Sequence, residues 1–295
     1  MKLPYLLLDV FTREPLQGNG LAVIPQADGL LDDEMQAIAR EFNLSETVFI
    51  FKPHSERNTA AVRIFTPYEE LPFAGHPTVG AAVVLGLNGK ATALRIEEKV
   101  GLVTALFERI DRRTGSARFT LPRLPMRIAD LPDRLALAQA LGIEPEEIGC
   151  DVFKPAVFSA GVTFHLVPVR SADVLARVKV NNIAWQSVFH HDHHSAYVFT
   201  LTPDEAENDI AARMFGMGVG EDPGTGSAAA ALIGLLAENE LGSGQFDYFL
   251  RQGVEMGRPC RINLHFRKEN EQLTHGAIGG EAVVLAEGVL DLTRG

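Results

Sequence analysis

Apolar residues recur along the chain with two different periods, one typical of strands and one typical of helices. Short apolar runs at 5–11 (YLLLDVF) and 20–25 (GLAVIP) predict strands. In residues 32–42, by contrast, apolar side chains recur at i, i+3, i+4 and i+7 from Met35. That spacing predicts an amphipathic helix, because it places these side chains on one helical face.

The same pattern continues through the chain and divides it in two. Further strands are predicted at 46–52, 60–66, 93–97, 101–107, 116–121, 153–158, 163–168, 196–201, 246–251, 260–266 and 275–286. A proline-spaced stretch from Pro122 to Pro132 reads as a domain boundary, and a helix near 133–142 follows it. The glycines of 277–284 suggest a bend between strands.

Two glycine turns each open a strongly apolar segment. One is Gly75-His76-Pro77-Thr78, and the other is Gly224-Thr225-Gly226-Ser227, with an offset of 224 − 75 = 149 residues. Both segments are apolar on all sides, which predicts a buried helix in each half. The chain therefore reads as two similar half-molecules with a functional site formed by both.

Composition narrows the possible functions. The chain has 295 residues, enough for two domains, and a net charge of −11 without a basic cluster. We expect no nucleic-acid and no membrane partner. The start lacks the features of a secretory signal, and no apolar run is long enough to span a membrane. Two cysteines, Cys150 and Cys260, show no metal or redox spacing, so we expect a cytoplasmic protein.

The two predicted helix starts are candidate anion sites. Free backbone N–H groups and the helix dipole attract negative charge at a helix N-terminus. Neither turn matches a P-loop or a Rossmann fingerprint, so a small carboxylated substrate fits better than a nucleotide. Each turn taken alone could equally be ordinary helix capping, with Thr225 or Ser227 as a cap and Pro77 at the first helical position.

Glu46 is the first candidate for acid–base chemistry. It lies among Leu44, Val48 and Phe49, and partial desolvation there would raise its pKa. A carboxyl group tuned in this way can take and return a proton near neutral pH. The alternative is an edge-strand glutamate that points to water. His76, in the first glycine turn, and Asp222, just before the second, complete a candidate catalytic set.

A run of histidines suggests a metal site that we do not expect. His190–His194 contains four histidines and one aspartate. Four histidines within five residues cannot all face one ion in any single regular conformation, and no other ligand motif accompanies them. We therefore expect no metal at this run.

Taken together, the motifs resemble PhzF-like proteins of phenazine biosynthesis. The matching segments run in order along most of the chain: Asp9–Thr12 (DVFT), Gly18-Asn19, Asn43–Thr47 (NLSET), Phe73–Thr78 (FAGHPT), Glu221–Ala228 (EDPGTGSA), Gln252-Gly253 and Gly257–Pro259. The resemblance implies an α+β protein with the diaminopimelate-epimerase fold. In that fold two pseudo-symmetric domains, each a barrel-like sheet around a buried central helix, flank the active site.

The resemblance also implies domain bounds and an activity. An N-terminal domain at 1–122 and a C-terminal domain at 128–285 follow, with the tail at 286–295 returning to the first domain. The best-understood family activity isomerises trans-2,3-dihydro-3-hydroxyanthranilate without a cofactor, and family members are typically homodimers. By motif, the catalytic residues are Glu46, His76 and Asp222, and the substrate-binding residues are Asn19, Gly75, Thr225, Gly226 and Ser227.

This sequence differs from the patterns of related proteins in two places, so more than one hypothesis about its function stays open. Epimerases and racemases of this fold use two cysteines, whereas here Gly75 and the Gly224–Ser227 turn take those places. The family also usually reads GNP where this chain has Gly18-Asn19-Gly20. The alternatives to a Glu46-dependent isomerase are an epimerase or racemase that uses another residue pair and a small-ligand-binding protein without turnover.

Overall fold

The chain folds into two compact units. Unit 1 comprises residues 1–122 and 279–295, and unit 2 comprises residues 123–278. The computed structural model describes residues 1–131, 133–189, 195–202, 209–216 and 220–292. The histidine run at 190–194 lies outside the described residues.

Strands dominate the described residues and helices are few. The helices are α1 (Asp32–Phe42), α2 (Gly75–Asn88), α3 (Arg134–Leu141), α4 (Ala172–Arg177), α5 (Asn182–Val188) and α6 (Gly226–Asn239). The first strands are β1 (Lys2–Val10), β2 (Asn19–Ile24), β3 (Glu46–Phe51), β4 (Ala60–Phe65), β5 (Glu70–Leu71), β6 (Ala93–Glu98), β7 (Gly101–Arg109) and β8 (Thr114–Thr120). The others are β9 (Met126–Asp130), β10 (Ala156–Ser159), β11 (Thr163–Pro168), β12 (Ser195–Leu201), β13 (Ile210–Gly216), β14 (Gly220–Asp222), β15 (Gly244–Gln252), β16 (Cys260–Glu269) and β17 (Gln272–Asp291).

The sheet of unit 1 closes on itself around α2. Successive pairs β1–β2, β2–β3, β3–β4, β4–β6, β6–β7 and β7–β8 run round the ring, and β17 pairs with both β8 and β1. The pairs β2–β3 and β4–β6 are parallel. Every residue of α2 from Gly75 to Val84 is buried, as expected for a helix that is apolar on all sides.

Unit 2 repeats this order of pairing. Its ladders are β9–β10, β10–β11, β11–β12, β12–β13, β13–β15 and β15–β16. The parallel ladders among them, β11–β12 and β13–β15, correspond to β2–β3 and β4–β6 of unit 1. The buried helix α6 lies between β14 and β15 in the chain, as α2 lies between β5 and β6. The predicted α+β class, with barrel-like sheets around buried central helices, is confirmed.

The repeat fixes which residues of the two units correspond. α2 and α6 both have 14 residues and begin at Gly75 and Gly226, an offset of 226 − 75 = 151. The predicted pairing of Gly75 with Gly224 is therefore wrong by two residues, because Gly224 lies before its helix. Pro77 is the third helical residue rather than the first.

One further expectation needs correction, and one segment contains an element that was not predicted. The proline-spaced stretch, predicted as a domain boundary, contains β9, which pairs with β10. The glycines of 277–284 lie inside β17 and not at a bend between two strands. Gly279, where the chain enters unit 1, allows close packing, because a Cβ there would lie 2.9 Å from the carbonyl oxygen of Ala117.

Each unit also buries a second apolar layer outside its sheet. In unit 1, α1 packs Met35, Ile38 and Ala39 against strand residues such as Phe49 and Phe65. In unit 2, α3, α4 and α5 pack around Trp185, which is almost fully buried. Among the helices of the described residues, none combines the length and the apolar character that crossing a membrane requires.

Candidate functional site

In unit 1, three predicted site residues meet at the beginnings of three elements. Asn19 begins β2, Glu46 begins β3, and His76 is the second residue of α2. The His76 Nε2 atom lies 3.3 Å from Glu46 Oε2, and the His76 Nδ1 atom lies 3.4 Å from Asn19 Nδ2. The parallel β2–β3 ladder brings Glu46 beside Leu21, two residues beyond Asn19.

The contact with Asn19 favours one form of His76. An amide nitrogen is a donor, so Asn19 Nδ2 donates to Nδ1, and the ring proton of neutral His76 is then on Nε2. That protonated nitrogen faces the carboxylate of Glu46. Asn19 therefore sets the histidine tautomer that suits an ionised Glu46.

The Glu46 side chain is partly exposed to solvent and partly desolvated by the protein interior. Its side chain is 16% exposed, whereas that of His76 is 5% exposed. The next two residues of β3, Thr47 and Val48, are fully buried. The partly exposed Glu46 side chain thus stands at the start of a strand whose next four residues are buried.

The start of α2 is buried and has no side-chain cap. The N-cap residue, Ala74, is extended and makes no capping hydrogen bond. Gly75 and His76 follow it, both buried, and the glycine leaves room for a ligand close to the backbone. Gly75 therefore directly precedes His76, whose ring lies against Glu46.

In unit 2, the predicted residues at the helix start form a buried hydrogen-bond network. Thr225 Oγ1 donates to Asp222 Oδ2 over 2.5 Å. Gln252 Nε2 donates to the Asp222 carbonyl over 2.8 Å and to Thr225 Oγ1 over 3.0 Å. Gln252 Oε1 accepts from the Thr225 backbone N–H and from the Tyr197 hydroxyl, over 3.1 Å and 2.9 Å. The network fixes the shape of the turn before α6.

The roles of the individual turn residues differ from simple capping. Thr225 is the N-cap of α6, but its hydroxyl donates to Asp222 and does not cap the helix. Gly226 and Ser227 are the first two helical residues, the glycine buried and the serine half-buried. Of the turn's side chains, Ser227 is therefore the one with most access to solvent.

Two members of this network were missed by the sequence analysis. Gln252 appeared only within a family motif, and Tyr197 appeared only as part of a predicted strand. Both side chains are completely buried. Burial holds the pKa of Tyr197 well above its usual value, so its hydroxyl keeps its proton and acts as a donor. The only sign of Tyr197 in the sequence was a hydroxyl-bearing aromatic residue within a mostly apolar strand. An ordinary tyrosine in the hydrophobic core gives the same pattern.

Each helix start is preceded by the same arginine–glutamate clamp. In unit 1, Arg63 binds Glu70 through Nε and Nη2, over 2.8 and 2.9 Å. In unit 2, Arg213 binds Glu221 through the same two nitrogens, both over 2.8 Å. Each arginine also lies over a phenylalanine ring two residues later in the sequence. These forked pairs hold β5 and β14 against the strands before them.

The clamp in unit 2 is the more buried one. Arg213 is 7% exposed and uses Nη1 to reach three backbone carbonyls at the end of α4, those of Leu175, Ala176 and Val178. In unit 1 the corresponding nitrogen of Arg63 binds the exposed Asp32. Hydrogen bonds from Arg63 hold the pKa of Glu70 below its usual value, so the carboxylate stays charged.

The units differ at the position of Glu46. Thr47 pairs with Phe65 on β4, and Ala196 pairs with Phe215 on β13. The residue in unit 2 that corresponds to Glu46 is therefore Ser195. Cys150 and Cys260 are both buried, and neither belongs to the sequence of a helix start, although Cys260 pairs with Gln252 in the β15–β16 ladder. Within the described residues, no group of three or more histidine, cysteine and acidic side chains could hold a metal ion.

Comparison with known proteins gives a consistent match. A family model described as "Phenazine biosynthesis-like protein" matches residues 8–288. An uncharacterized isomerase from Mesorhizobium japonicum is 41% identical, over 97% of this chain and 98% of its own. A trans-2,3-dihydro-3-hydroxyanthranilate isomerase from Pseudomonas aeruginosa is 35% identical, over 96% of this chain and 98% of its own.

Solved structures agree with the sequence match. A phenazine biosynthesis protein of the PhzF family from Bacillus anthracis superposes with a TM-score of 0.87 at 26% identity, covering 99% of this chain and 100% of its own. A hydroxyproline epimerase from Agrobacterium vitis shares the fold, with a TM-score of 0.64 at 13% identity over 98% and 91% of the two chains. The chain therefore belongs to the phenazine biosynthesis-like (PhzC-PhzF) family, whose curated relatives compared above are named isomerases.

Proposed function

We propose that this isomerase moves a proton within a small carboxylated substrate and that Glu46 carries the proton. The observation that supports this most directly is the contact chain from Asn19 through His76 to Glu46. It joins a half-buried carboxyl group to a histidine whose tautomer is set by a third side chain, which is the arrangement of an oriented acid–base group.

The first half of the reaction uses Glu46 as a base. Nε2–H of His76 faces Glu46 Oε2 and favours the ionised carboxylate before substrate is attacked. The carboxylate takes a proton from a substrate carbon, so a C–H bond breaks and an O–H bond forms. The electron pair of the C–H bond moves into a new double bond of the substrate, and the π electrons of an existing double bond next to it move toward the carbon that is protonated in the second half.

The second half returns the proton from the same group. The neutral Glu46 carboxyl group donates to a different substrate carbon, so its O–H bond breaks and a new C–H bond forms. The double bond shifts and no electron is gained or lost overall. A single carboxyl group is thus sufficient, since it ends in the ionised state in which it began.

The substrate class follows from the two helix starts and from the relatives. Gly75 and Gly226 each begin a buried helix, and a helix N-terminus favours a carboxylate. We assign substrate binding in unit 1 to Asn19, His76 and Gly75. In unit 2 we assign it to Asp222, Thr225, Gly226 and Ser227, among which Asp222 suits a substrate amino or hydroxyl group. A relative named trans-2,3-dihydro-3-hydroxyanthranilate isomerase makes that cyclic amino acid the first compound to test.

A two-residue mechanism has less support. An epimerase that works through a pair of bases needs a second proton carrier, but Ser195 replaces Glu46 in the repeat and glycines begin both central helices. The buried Cys150 binds the backbone N–H of Leu201 and is not placed at a helix start. These observations favour a single carrier.

Replacement of Glu46 tests the proposal. Glu46→Gln keeps the size of the side chain and its contact with His76 but removes the acid–base group. We expect turnover of dihydrohydroxyanthranilate, or of the active member of a panel of small amino and hydroxy acids, to fall by about 10²–10⁴-fold. Circular dichroism and the thermal midpoint should be unchanged.

The matched control is Glu56→Gln, at an exposed glutamate in the loop after β3, which should keep full activity. Wild-type rates from Glu46→Gln would overturn the assignment of the proton carrier. Binding of a carboxylated ligand by the wild type, without turnover of any compound in the panel, would instead favour a binding protein.

A further inference from the structure

A second glutamate of unit 1, Glu98, is far more buried than Glu46 and has no role in the proposed reaction. It is the last residue of β6 and is 8% exposed. Its Oε1 atom lies 2.8 Å from the Thr78 hydroxyl in the first turn of α2. The same hydroxyl lies 2.7 Å from the carbonyl oxygen of Ala74, the N-cap residue of that helix.

The single hydroxyl hydrogen of Thr78 limits which protonation state of the Glu98 carboxyl group gives a satisfied set of hydrogen bonds. A threonine hydroxyl has one hydrogen, but here it has two oxygen neighbours at hydrogen-bond distance. The Ala74 carbonyl oxygen can only accept. If the hydroxyl donates to Ala74, the Glu98 contact is a good hydrogen bond only when the carboxyl group carries a proton and donates. A chain of two hydrogen bonds, in which the Glu98 carboxyl group donates to the Thr78 hydroxyl and that hydroxyl donates to the Ala74 carbonyl, satisfies all three groups.

The internal repeat identifies the counterpart of Glu98 in unit 2. In the parallel ladder β4–β6, Ala60 pairs with Ile96, and in β13–β15, Ile210 pairs with Leu250. Two residues further along each strand lie Glu98 and Gln252. Gln252 is neutral, completely buried and bonded to the N-cap of α6. A protonated glutamate has nearly the same shape as a glutamine, and it too has one donor and one acceptor end.

We propose that Glu98 is a positioning residue, which holds the start of α2 as a neutral carboxylic acid, as Gln252 holds the start of α6. Through its contact with Thr78, which in turn bonds Ala74, it fixes the backbone conformation just before Gly75 and His76. Its effect on turnover rests on the proposed function, whereas its effect on stability does not.

The surroundings of Glu98 agree with the neutral form. Burial raises the pKa of Glu98 to about 8, and the hydrogen bond with Thr78 offsets only part of that rise. Charged groups on neighbouring elements are engaged elsewhere. On α2, His76 faces Glu46. Lys99, which follows β6, and Arg63 on β4 both pair with Glu70, and Glu97 binds the loop after β3.

Ionisation of Glu98 should disturb the helix start. A charged carboxylate would draw the Thr78 hydroxyl hydrogen away from Ala74, whose carbonyl oxygen would then keep only the Thr78 backbone N–H, at 3.2 Å. The second oxygen of that carboxylate, Oε2, has no hydrogen-bond partner among the described residues. The change would reach His76 and Glu46 through the first turn of α2. Wild-type function should therefore weaken as Glu98 loses its proton.

Unfolding measured against pH tests the neutral state without a substrate. The pKa of Glu98 is raised in the folded protein from a usual value of 4.5 to about 8. Its stabilising effect is therefore complete below pH 4.5 and is lost as the pH rises toward 8. Between these values the unfolding midpoint of the wild type should fall relative to that of Glu98→Gln, which cannot ionise. Parallel curves for the two proteins would overturn the proposal.

Turnover tests the positioning role. Glu98→Gln should keep kcat within about twofold of the wild type at pH 7, and Glu98→Ala should lose about tenfold or more because the helix start is no longer supported. Above pH 8 the wild type should lose kcat while Glu98→Gln does not. Equal losses from the two substitutions, or equal alkaline profiles for the wild type and Glu98→Gln, would contradict the role.

The two measurements separate this inference from the proposed function. If no compound is turned over, the pH dependence of unfolding still decides whether Glu98 is neutral. If Glu46→Gln is inactive but Glu98→Gln behaves as the wild type at every pH in both assays, only the inference about Glu98 is wrong.

Discussion

At the scale of single residues, the two central helices are held by different side chains. Unit 1 offers a carboxyl group, Glu46, and a histidine oriented by Asn19. Unit 2 offers Asp222 in a closed network with Thr225 and Gln252. The first arrangement leaves a group that can exchange a proton, and the second fixes polar groups in place.

The fully buried Tyr197 gives a prediction at this scale. Tyr197→Phe removes one of the two donors to Gln252 Oε1 and keeps the ring. We expect the free energy of unfolding to fall by about 1–2 kcal/mol, because a buried polar network loses a hydrogen bond. Chemical denaturation measures it, with Tyr68→Phe as the control, since Tyr68 is 78% exposed. Equal stability of the two variants would show that the Tyr197 hydrogen bond does not support the network.

Sequence reasoning reached some of these residues and missed others for a physical reason. Glu46 could be found because it is a charged residue in an otherwise apolar or neutral stretch, and the two glycine turns because each opens a strongly apolar segment half a chain from the other. Tyr197 and Gln252 are 55 residues apart in the sequence, so their hydrogen bond depends on strand pairing that no local pattern encodes. Glu98 looked like an ordinary charged residue at the end of a strand.

At the scale of elements, the forked arginine pairs hold the strands that lead into the central helices. Arg213 joins β13 to β14 through Glu221 and to the end of α4 through three carbonyls. Because β14 ends at Asp222, the clamp also places the acidic residue of the α6 turn. A guanidinium group suits this role, since its planar fork can bind a carboxylate and several carbonyls together.

Arg213→Lys tests the clamp. A lysine keeps the charge but cannot form the fork, so buried acceptors lose their donors. We expect the free energy of unfolding to fall by about 2–4 kcal/mol in chemical denaturation. The control is Arg267→Lys, at an exposed arginine with a 3.3 Å contact to Glu269, where the change should be below about 1 kcal/mol. Similar losses from both substitutions would contradict the clamp.

Elements with a strong period were predictable, and short or irregular ones were not. α1 and β11 lie where the pattern placed them, at Asp32–Phe42 and Thr163–Pro168. β9 was hidden in a proline-spaced stretch, where prolines normally argue against a strand. β13 was also missed, although its Arg-Met-Phe repeats the Arg-Ile-Phe of β4 150 residues earlier.

At the scale of the whole molecule, one strand order occurs twice with different chemistry. Parallel ladders lie at the same two places in each unit, and each central helix has 14 residues. The two units differ at the positions used in both proposals: Glu46 corresponds to Ser195, and Glu98 to Gln252. Homodimer formation, which the family resemblance implies, stays a prediction that light scattering can test.

The central claim is that Glu46 carries the transferred proton. The most direct measurement is NMR of substrate incubated in deuterated water with the wild type or with Glu46→Gln. A carboxyl group that exchanges with solvent between its two steps delivers deuterium to a substrate carbon. We expect carbon-bound deuterium with the wild type and none above background with Glu46→Gln. Equal deuterium incorporation with both proteins would contradict it.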